Sequence, residues 1–323
     1  MASSFLKVHG SGGARALAWT EKGVVTAGLC DGSLVLAAVD GAQPRVAKSI
    51  PRCHVAGFGS MAADHGLNRV VCIGLDGDLQ VWSMDEAPER DARALPGLNE
   101  GRPGLLKLDH ATLDVASVVA HSPILPQFAI GGVGGRVTLV DAASGSSLGS
   151  VLLPCGGAAV LALAYAPDGT KVAAACDSGG LWVLDAEAGL ATLGSAAPHA
   201  LPVRGVAWSH DGAQLVTASD DGRVGVLDAS TLAAGGGAAA VTYLAGHSHW
   251  VTGVAASPDK HLVASVSADR SCRLWDTRTR ECVHVFGGHA DKLWAVTFSP
   301  AGDKLATVSE GGVLGVFSVA AVV

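Results

Sequence analysis

Charge and aromaticity are both scarce in this sequence: 16% of its 323 residues are charged and 5% are aromatic. The net charge is −7, and Lys and Arg form no basic run. Phosphate backbones are held by clustered cations, so direct nucleic-acid binding is not expected. No run of 18 uninterrupted apolar residues exists to span a bilayer, and the opening MASSFLKVHG lacks the basic-then-apolar order of a secretory signal. The seven cysteines (Cys30, Cys53, Cys72, Cys155, Cys176, Cys272 and Cys282) are odd in number and contain no C-x-x-C pair, which argues against a disulfide framework and a zinc ribbon. Most of them read as small buried apolar side chains. A soluble intracellular protein with no metal and no cofactor is the expectation.

Against these absences stand a 49% hydrophobic fraction and 43 glycines, the composition of a well-buried chain with many tight turns. The most informative stretch is 246–276, GHSHWVTGVAASPDKHLVASVSADRSCRLWD, which opens on Gly246-His247 and closes on Trp275-Asp276. Sliding the chain against itself matches Trp275 with Ala37, Trp82, Val140, Leu184, Leu227 and Phe317, at intervals of about 42–48 residues except for about 58 between Trp82 and Val140. Such a period marks a four-stranded propeller blade. The fold expected is an all-β, seven-bladed propeller, with residues 1–323 forming one closed ring and leaving no length for a catalytic domain.

The sixth unit shows the expected order: an inner strand near Val251–Ala256, a Ser257-Pro258-Asp259 turn, a strand Leu262–Ser267, a turn Ala268-Asp269-Arg270, and strands near Cys272–Trp275 and Cys282–Phe286. Turns such as Ala166-Pro167-Asp168-Gly169 and Ser209-His210-Asp211-Gly212 carry residues with separate roles: Pro presets φ, Asp bonds its own backbone, and Gly accepts positive φ. A blade also buries polar side chains, each costing about 1–3 kcal/mol if left without a partner. A polar pin is therefore expected, running from Asp269 to His247, to Ser265 and to the Trp275 indole. The same spacing offers His199, Thr217 and Asp221 in the fifth unit and His54, Asp76 and Trp82 in the second. Ser178, Gly134 and Gly311 fall where the pin Asp is expected, and the first, third and fourth units are expected to be locally the least stable. The last unit ends after a third strand, Val313–Phe317, and Ser4–Val8 is placed to complete it.

Two stretches are irregular. Residues 83–109, charged and rich in Pro and Gly, read as an extended surface insertion, and the Ala/Gly run 233–240 reads as a flexible connection.

Motifs that suggest chemistry resolve into structure. Gly145-Ser146-Ser147-Leu148-Gly149 matches G-x-S-x-G, but a strand rather than a helix follows, so it reads as a hairpin. Gly131-Gly132-Val133-Gly134-Gly135 lacks the order and the Lys of a phosphate loop and reads as a degraded Asp turn. His247, His249 and Asp259 do not make a metal site, since His247 serves the pin. Asp220-Asp221 is not an acid–base pair: one carboxylate belongs to the pin, and Asp220 is left on the rim as a recognition residue. No catalytic residue is expected. Trp250 and Trp294 lie at the starts of inner strands, where side chains open onto the top face, and large aromatics there suit binding hot spots. Arg204 holds the position equivalent to Trp294, and Lys292 completes the proposed partner-binding rim; Trp208 and Trp19 read as core.

The segments HALPVRGVAWSHDGAQLVTASDDG, GHSHWVTGVAASPD, SADRSCRLWDTRTRECVHVF and HADKLWAVTFSPAGDKLATVS, within His199–Val319, resemble the WD-repeat subunit shared by the superkiller (Ski) complex and the polymerase-associated factor (PAF) complex. The resemblance covers about the last 120 residues well and the rest as a blade pattern only. It implies a non-enzymatic adaptor whose top face holds protein subunits: a tetratricopeptide protein and an RNA helicase in RNA decay, or elongation factors in transcription. The chain would then act as a monomer within a hetero-complex, in nucleus and cytoplasm. By position, Trp250, Trp294 and Arg204 match rim residues of that family. Two other classes fit a propeller: a structural subunit of a ciliary, axonemal or other cytoskeletal assembly, and a substrate receptor of a ubiquitin ligase.

Overall fold

The computed structural model describes residues 3–8, 13–20, 24–29, 32–39, 43–50, 54, 57–64, 69–74, 79–83, 105–106, 116–234, 240–258 and 261–320. Strand β1 (Ser3–Lys7) is followed by the first blade, β2 (Ala14–Trp19), β3 (Val24–Leu29), β4 (Leu34–Ala38) and β5 (Arg45–Ile50). The second is β6 (Phe58–Asp64), β7 (Arg69–Gly74), β8 (Leu79–Ser83) and β9 (Leu105–Leu106). The third is β10 (Ala116–His121), β11 (Gln127–Gly132), β12 (Arg136–Asp141) and β13 (Ser147–Leu152). The fourth is β14 (Val160–Tyr165), β15 (Lys171–Cys176), β16 (Leu181–Asp185) and β17 (Ala191–Ala196). The fifth is β18 (Val203–Trp208), β19 (Gln214–Ser219), β20 (Val224–Asp228) and β21 (Val241–Leu244). The sixth is β22 (Val251–Ala256), β23 (Leu262–Ser267), β24 (Cys272–Asp276) and β25 (Glu281–Phe286). β26 (Leu293–Phe298), β27 (Lys304–Ser309) and β28 (Val313–Ser318) form the last sheet, with β1 as its outer strand.

The expectation of a seven-bladed propeller is corrected. Six sheets are complete four-stranded blades, whereas the sheet built on β6, β7 and β8 closes on β9, a stub of two residues. Of the 83–109 stretch, Leu105 and Leu106 pair with Gln80 and Leu79, and residues 84–104 and 107–109, where a surface insertion is expected, lie outside the described residues. The innermost strands touch in a cycle, β2 to β6, β10, β14, β18, β22, β26 and back to β2. β1 runs antiparallel to β28, Phe5 opposite Gly315, and the Phe5 ring meets Phe317 edge-on at 5.6 Å and His289 at 5.1 Å.

Local chemistry explains the hairpins. At 209–214 the Ser209 hydroxyl donates to Asp211 Oδ1 at 2.6 Å and Gly212 adopts φ +68°, the left-handed value at which a Cβ is strained. The 145–149 glycine–serine motif is the turn between β12 and β13, with Gly145 at φ +71° and Ser147 already in the strand. Residues 133–135 form a single 3-10 turn between β11 and β12. The connection after β20 is only partly as expected. Ala229–Ala233 forms one helical turn capped by Asp228, whose Oδ1 accepts from Thr231 N at 2.8 Å; residues 235–239 lie outside the described residues.

The core lies between blades. Val160, Val172, Ala174, Cys176 and Leu184 of the fourth blade are fully buried against Ala129 and Val137 of the third. The turn that ends one blade's second strand also presses on the lead-in loop, the segment before the inner strand, of the next blade. At Gly179 (φ +85°) a Cβ would lie 2.1 Å from the His199 carbonyl oxygen, so glycine is required there by contact as well as by torsion.

Candidate functional site

Every inner strand carries a bulge at its second residue, where one residue has no partner in the register: Arg15, Gly59, Ser117, Leu161, Arg204, Thr252 and Trp294. A bulge turns a side chain off the sheet, and these seven line a funnel of about 300 Å³ at the end of the ring where the inner strands begin. The mouth is lopsided. Gly59, Ser117 and Leu161 offer small or neutral groups on one side, and Arg204, Thr252, Trp294 and Arg15 offer charge and aromaticity on the other. The opposite end, about 340 Å³, is lined among the described residues by Trp19, Phe298, Met61, alanines and prolines, with no charged side chain among them.

The five rim residues named from sequence have different surroundings. Trp250 is 46% exposed, with the His249 ring edge-on at 4.9 Å and its own N–H donating to His249 Nδ1 at 2.9 Å. Trp294 is half-buried, with Arg15 Cζ 5.0 Å and Lys292 Nζ 4.9 Å from its ring centroid. Lys292 also pairs with Glu310 at 2.9 Å. Arg204 and Asp220 are corrected as independent recognition groups. The Arg204 Nε and Nη2 donate to the two carboxylate oxygens of Asp220 at 2.5 and 2.7 Å, a bidentate pair that engages both. Only Trp250 of the five stands open to solvent with its apolar surface uncommitted. His249, Glu310 and Arg15 were missed by sequence reasoning. Arg15 escapes the five-residue count that leads from His199 to Arg204, because the lead-in of the first unit is one residue longer and the count from His9 ends on Ala14.

The pins differ blade by blade. In the sixth, His247 Nδ1 lies 2.9 Å from Asp269 Oδ2, His247 Nε2 lies 2.7 Å from Ser265 Oγ, and the Trp275 indole donates to Ser265 Oγ at 2.8 Å. Burial raises the Asp269 carboxyl, but hydrogen bonds from His247 and from the Ser271 hydroxyl and N–H outweigh it and hold the group well below the usual carboxylate range. In the fifth, His199 bonds Asp221 and Thr217, both at 2.7 Å, and Leu227 stands in the indole's place. In the second, Asp76 lies outside the described residues, and His54 is buried with its ring edge-on to Phe58 at 4.8 Å. Cys72 replaces the Ser265 hydroxyl there, and the Trp82 indole N–H has no acceptor among the described residues. In the seventh, His289 Nε2 bonds Thr307 at 2.8 Å, but Gly311 supplies no carboxylate and the buried Nδ1 has no partner among the described residues. Burial pushes the His289 ring down to about 4, with the Asp291 charge opposing.

Among the described residues no cluster of three His, Cys, Asp or Glu side chains is arranged to hold a metal ion, and Asp259 lies outside them. No helix among them is long and apolar enough to cross a membrane.

The family described as "WD domain, G-beta repeat" matches residues 191–228, 239–276 and 280–318. Each matched repeat supplies the outer strand of one blade and the three inner strands of the next: β17–β20, β21–β24 and β25–β28. The chain therefore carries WD40 repeats in an all-β propeller. Among curated relatives, it is similar to "Superkiller complex protein 8" of Dictyostelium discoideum, 39% identical over 71 residues, 22% of this chain and 24% of that one. It is similar to "Eukaryotic translation initiation factor 3 subunit I" of Aspergillus terreus, 43% identical over 76 residues, 23% of this chain and 22% of that one. A shorter likeness, 38% over 53 residues, covers 16% of this chain and 8% of "Probable E3 ubiquitin ligase complex SCF subunit sconB" of the same fungus. The chain thus matches about a quarter or less of the length of these relatives.

Proposed function

We propose that residues 1–323 act as one non-enzymatic scaffold that presents the rim of the fifth, sixth, seventh and first blades to protein partners, in the manner of the WD-repeat subunit of the Ski and PAF complexes. The observation that carries this reading is the lopsided mouth: an exposed Trp250 leading into the inner strand of the sixth blade and, on that of the seventh, a Trp294 flanked by two cations. Exposed aromatics over a rigid frame bind through apolar area at little cost in side-chain entropy. The likeness to Superkiller complex protein 8 supports a place in such a complex, and the resemblance in His199–Val319 implies tetratricopeptide and helicase subunits or elongation factors as partners, in nucleus and cytoplasm.

Tagged full-length chain and a Trp250→Ala/Trp294→Ala variant, each purified from its own cells, test the reading. The variant is expected to lose a tetratricopeptide or helicase subunit at least tenfold while its melting temperature holds within about 2 °C. Equal recovery of that subunit by both proteins overturns the rim assignment. The likeness to sconB supports a second reading as a ubiquitin-ligase receptor, for which a cullin-type subunit would take the helicase's place in the same purification.

A further inference from the structure

The fourth blade has no pin, yet the joint that a pin closes elsewhere is occupied. Register places Gly156, Ala174, Ser178 and Leu184 where the sixth blade has His247, Ser265, Asp269 and Trp275. At this joint two thiols share one apolar cluster. Cys176 ends β15 in the place where Ser219 and Ser267 end β19 and β23, and those serines donate to the lead-in loop of their own blades, to Leu201 O and His249 O, each at 3.2 Å. In the fourth blade the lead-in loop carries Cys155, whose thiol donates to Ala158 O at 3.3 Å and packs against the core cluster containing Cys176. Val160, two residues beyond Ala158, is the register partner of Cys176, and Asp177 N bonds Ala159 O at 3.0 Å. Both thiols are free; Cys155 is partly exposed and Cys176 is buried. The loop between them can adjust, because Gly156 and Gly157 hold positive φ with open space around them.

We propose that Cys155 and Cys176 are a redox modification site, converted by hydrogen peroxide into a disulfide that serves as the missing pin of the fourth blade. Cys155, the accessible thiol, attacks the peroxide: its sulfur takes one oxygen as a sulfenic acid and one water leaves. The Cys176 sulfur then attacks the sulfenic sulfur, the S–S bond forms, and its proton departs with the hydroxyl as a second water. Two thiols are oxidised, one peroxide is reduced, and a dithiol reductant reverses the step. Burial and the neighbouring Cys155 push the Cys176 thiol up, which suits the resolving rather than the attacking role. A bridge here ties lead-in loop to second turn, as His247 and Asp269 do in the sixth blade.

The test is hydrogen peroxide added to the reduced full-length chain, with intact mass, peptide mapping and amide exchange as readouts. The expected product is about 2 Da lighter, its peptides are joined at Cys155 and Cys176, and dithiothreitol restores the starting mass. Amides of 177–180 should then exchange about tenfold more slowly, with 265–275 unchanged. Cys155→Ser and Cys176→Ala should each abolish the cross-link, and mapping of the unaltered chain decides the matter if either fails to fold. A bridge through the exposed Cys282, or a gain of about 32 Da at Cys155 without a cross-link, overturns the proposal.

Discussion

The sixth and fourth blades share one backbone plan and differ in how they are fastened. Leu262 opposite Asp276 and Val263 opposite Trp275 in the sixth correspond to Lys171 opposite Asp185 and Val172 opposite Leu184 in the fourth. The bulges coincide as well, after Val251 and Val160 and between Leu274/Trp275 and Val183/Leu184. The sixth blade adds a chain of three side-chain hydrogen bonds across that frame, whereas the fourth has Ala174 and Leu184, both fully buried, in the places of Ser265 and Trp275. Strand pairing and apolar packing therefore suffice to build a blade. The pin is a local fastening that ties lead-in loop to turn, and a blade without one leaves that joint open to other chemistry, such as a pair of thiols.

The comparison breaks most directly at His247. Replacing it with Ala leaves Asp269 buried without its imidazole and removes one of the two partners of Ser265, and the loss is expected to be about 2–4 kcal/mol by urea unfolding. Ser178→Ala, in the equivalent region of the fourth blade, is exposed and should cost under about 0.5 kcal/mol. Similar costs for the two changes would erase the distinction between blades.

The seventh blade sharpens it through pH. The folded-state pKa of His289 lies near 4, below its ordinary 6.5, so its contribution is complete above 6.5 and is lost as pH falls through the interval from 6.5 to about 4. The Asp269 carboxyl is also depressed, from an ordinary 3.8, so its own contribution is present above that value and is lost as pH falls below it. Gly311→Asp, 22 residues after His289 as Asp269 is after His247, should complete the pin. The Asp291 carboxylate now occupies that space, 2.2 Å from where the Cβ would lie, but it is the end of a flexible side chain and can turn away. A gain of about 1 kcal/mol and an upward-shifted His289 titration by NMR are expected. An unchanged titration would mean that the spacing does not suffice. The smallest effect is dynamic: turn amides of the first, third and fourth blades should exchange a few-fold faster than those of the second, fifth and sixth, a ranking readable by hydrogen exchange.

Legibility followed the range of each interaction. Turn chemistry such as Ser209 to Asp211 spans two residues, and the strands around 199–318 stand out because His, hydroxyl, Asp and Trp recur at constant offsets. The first three units, with Ala37, Val140 and a Cys72 in place of a hydroxyl, are less legible because apolar packing accepts many side chains of similar volume. Blade completeness was misjudged where the 83–109 stretch breaks the repeat pattern, and of that stretch Leu105 and Leu106 are the outer-strand residues described. The helical turn capped by Asp228 was missed beside an Ala/Gly run that resembled a linker.

The sequence by itself determined the repeat, the all-β class and the aromatic rim positions, because these rest on local periodicity and on backbone preferences of Pro, Asp and Gly. Only the tertiary structure decided which rim charges are already paired, that Arg15 reaches Trp294, and that Cys155 packs against the cluster holding Cys176. Those contacts cross a blade or close the ring, and no fixed sequence spacing announces them.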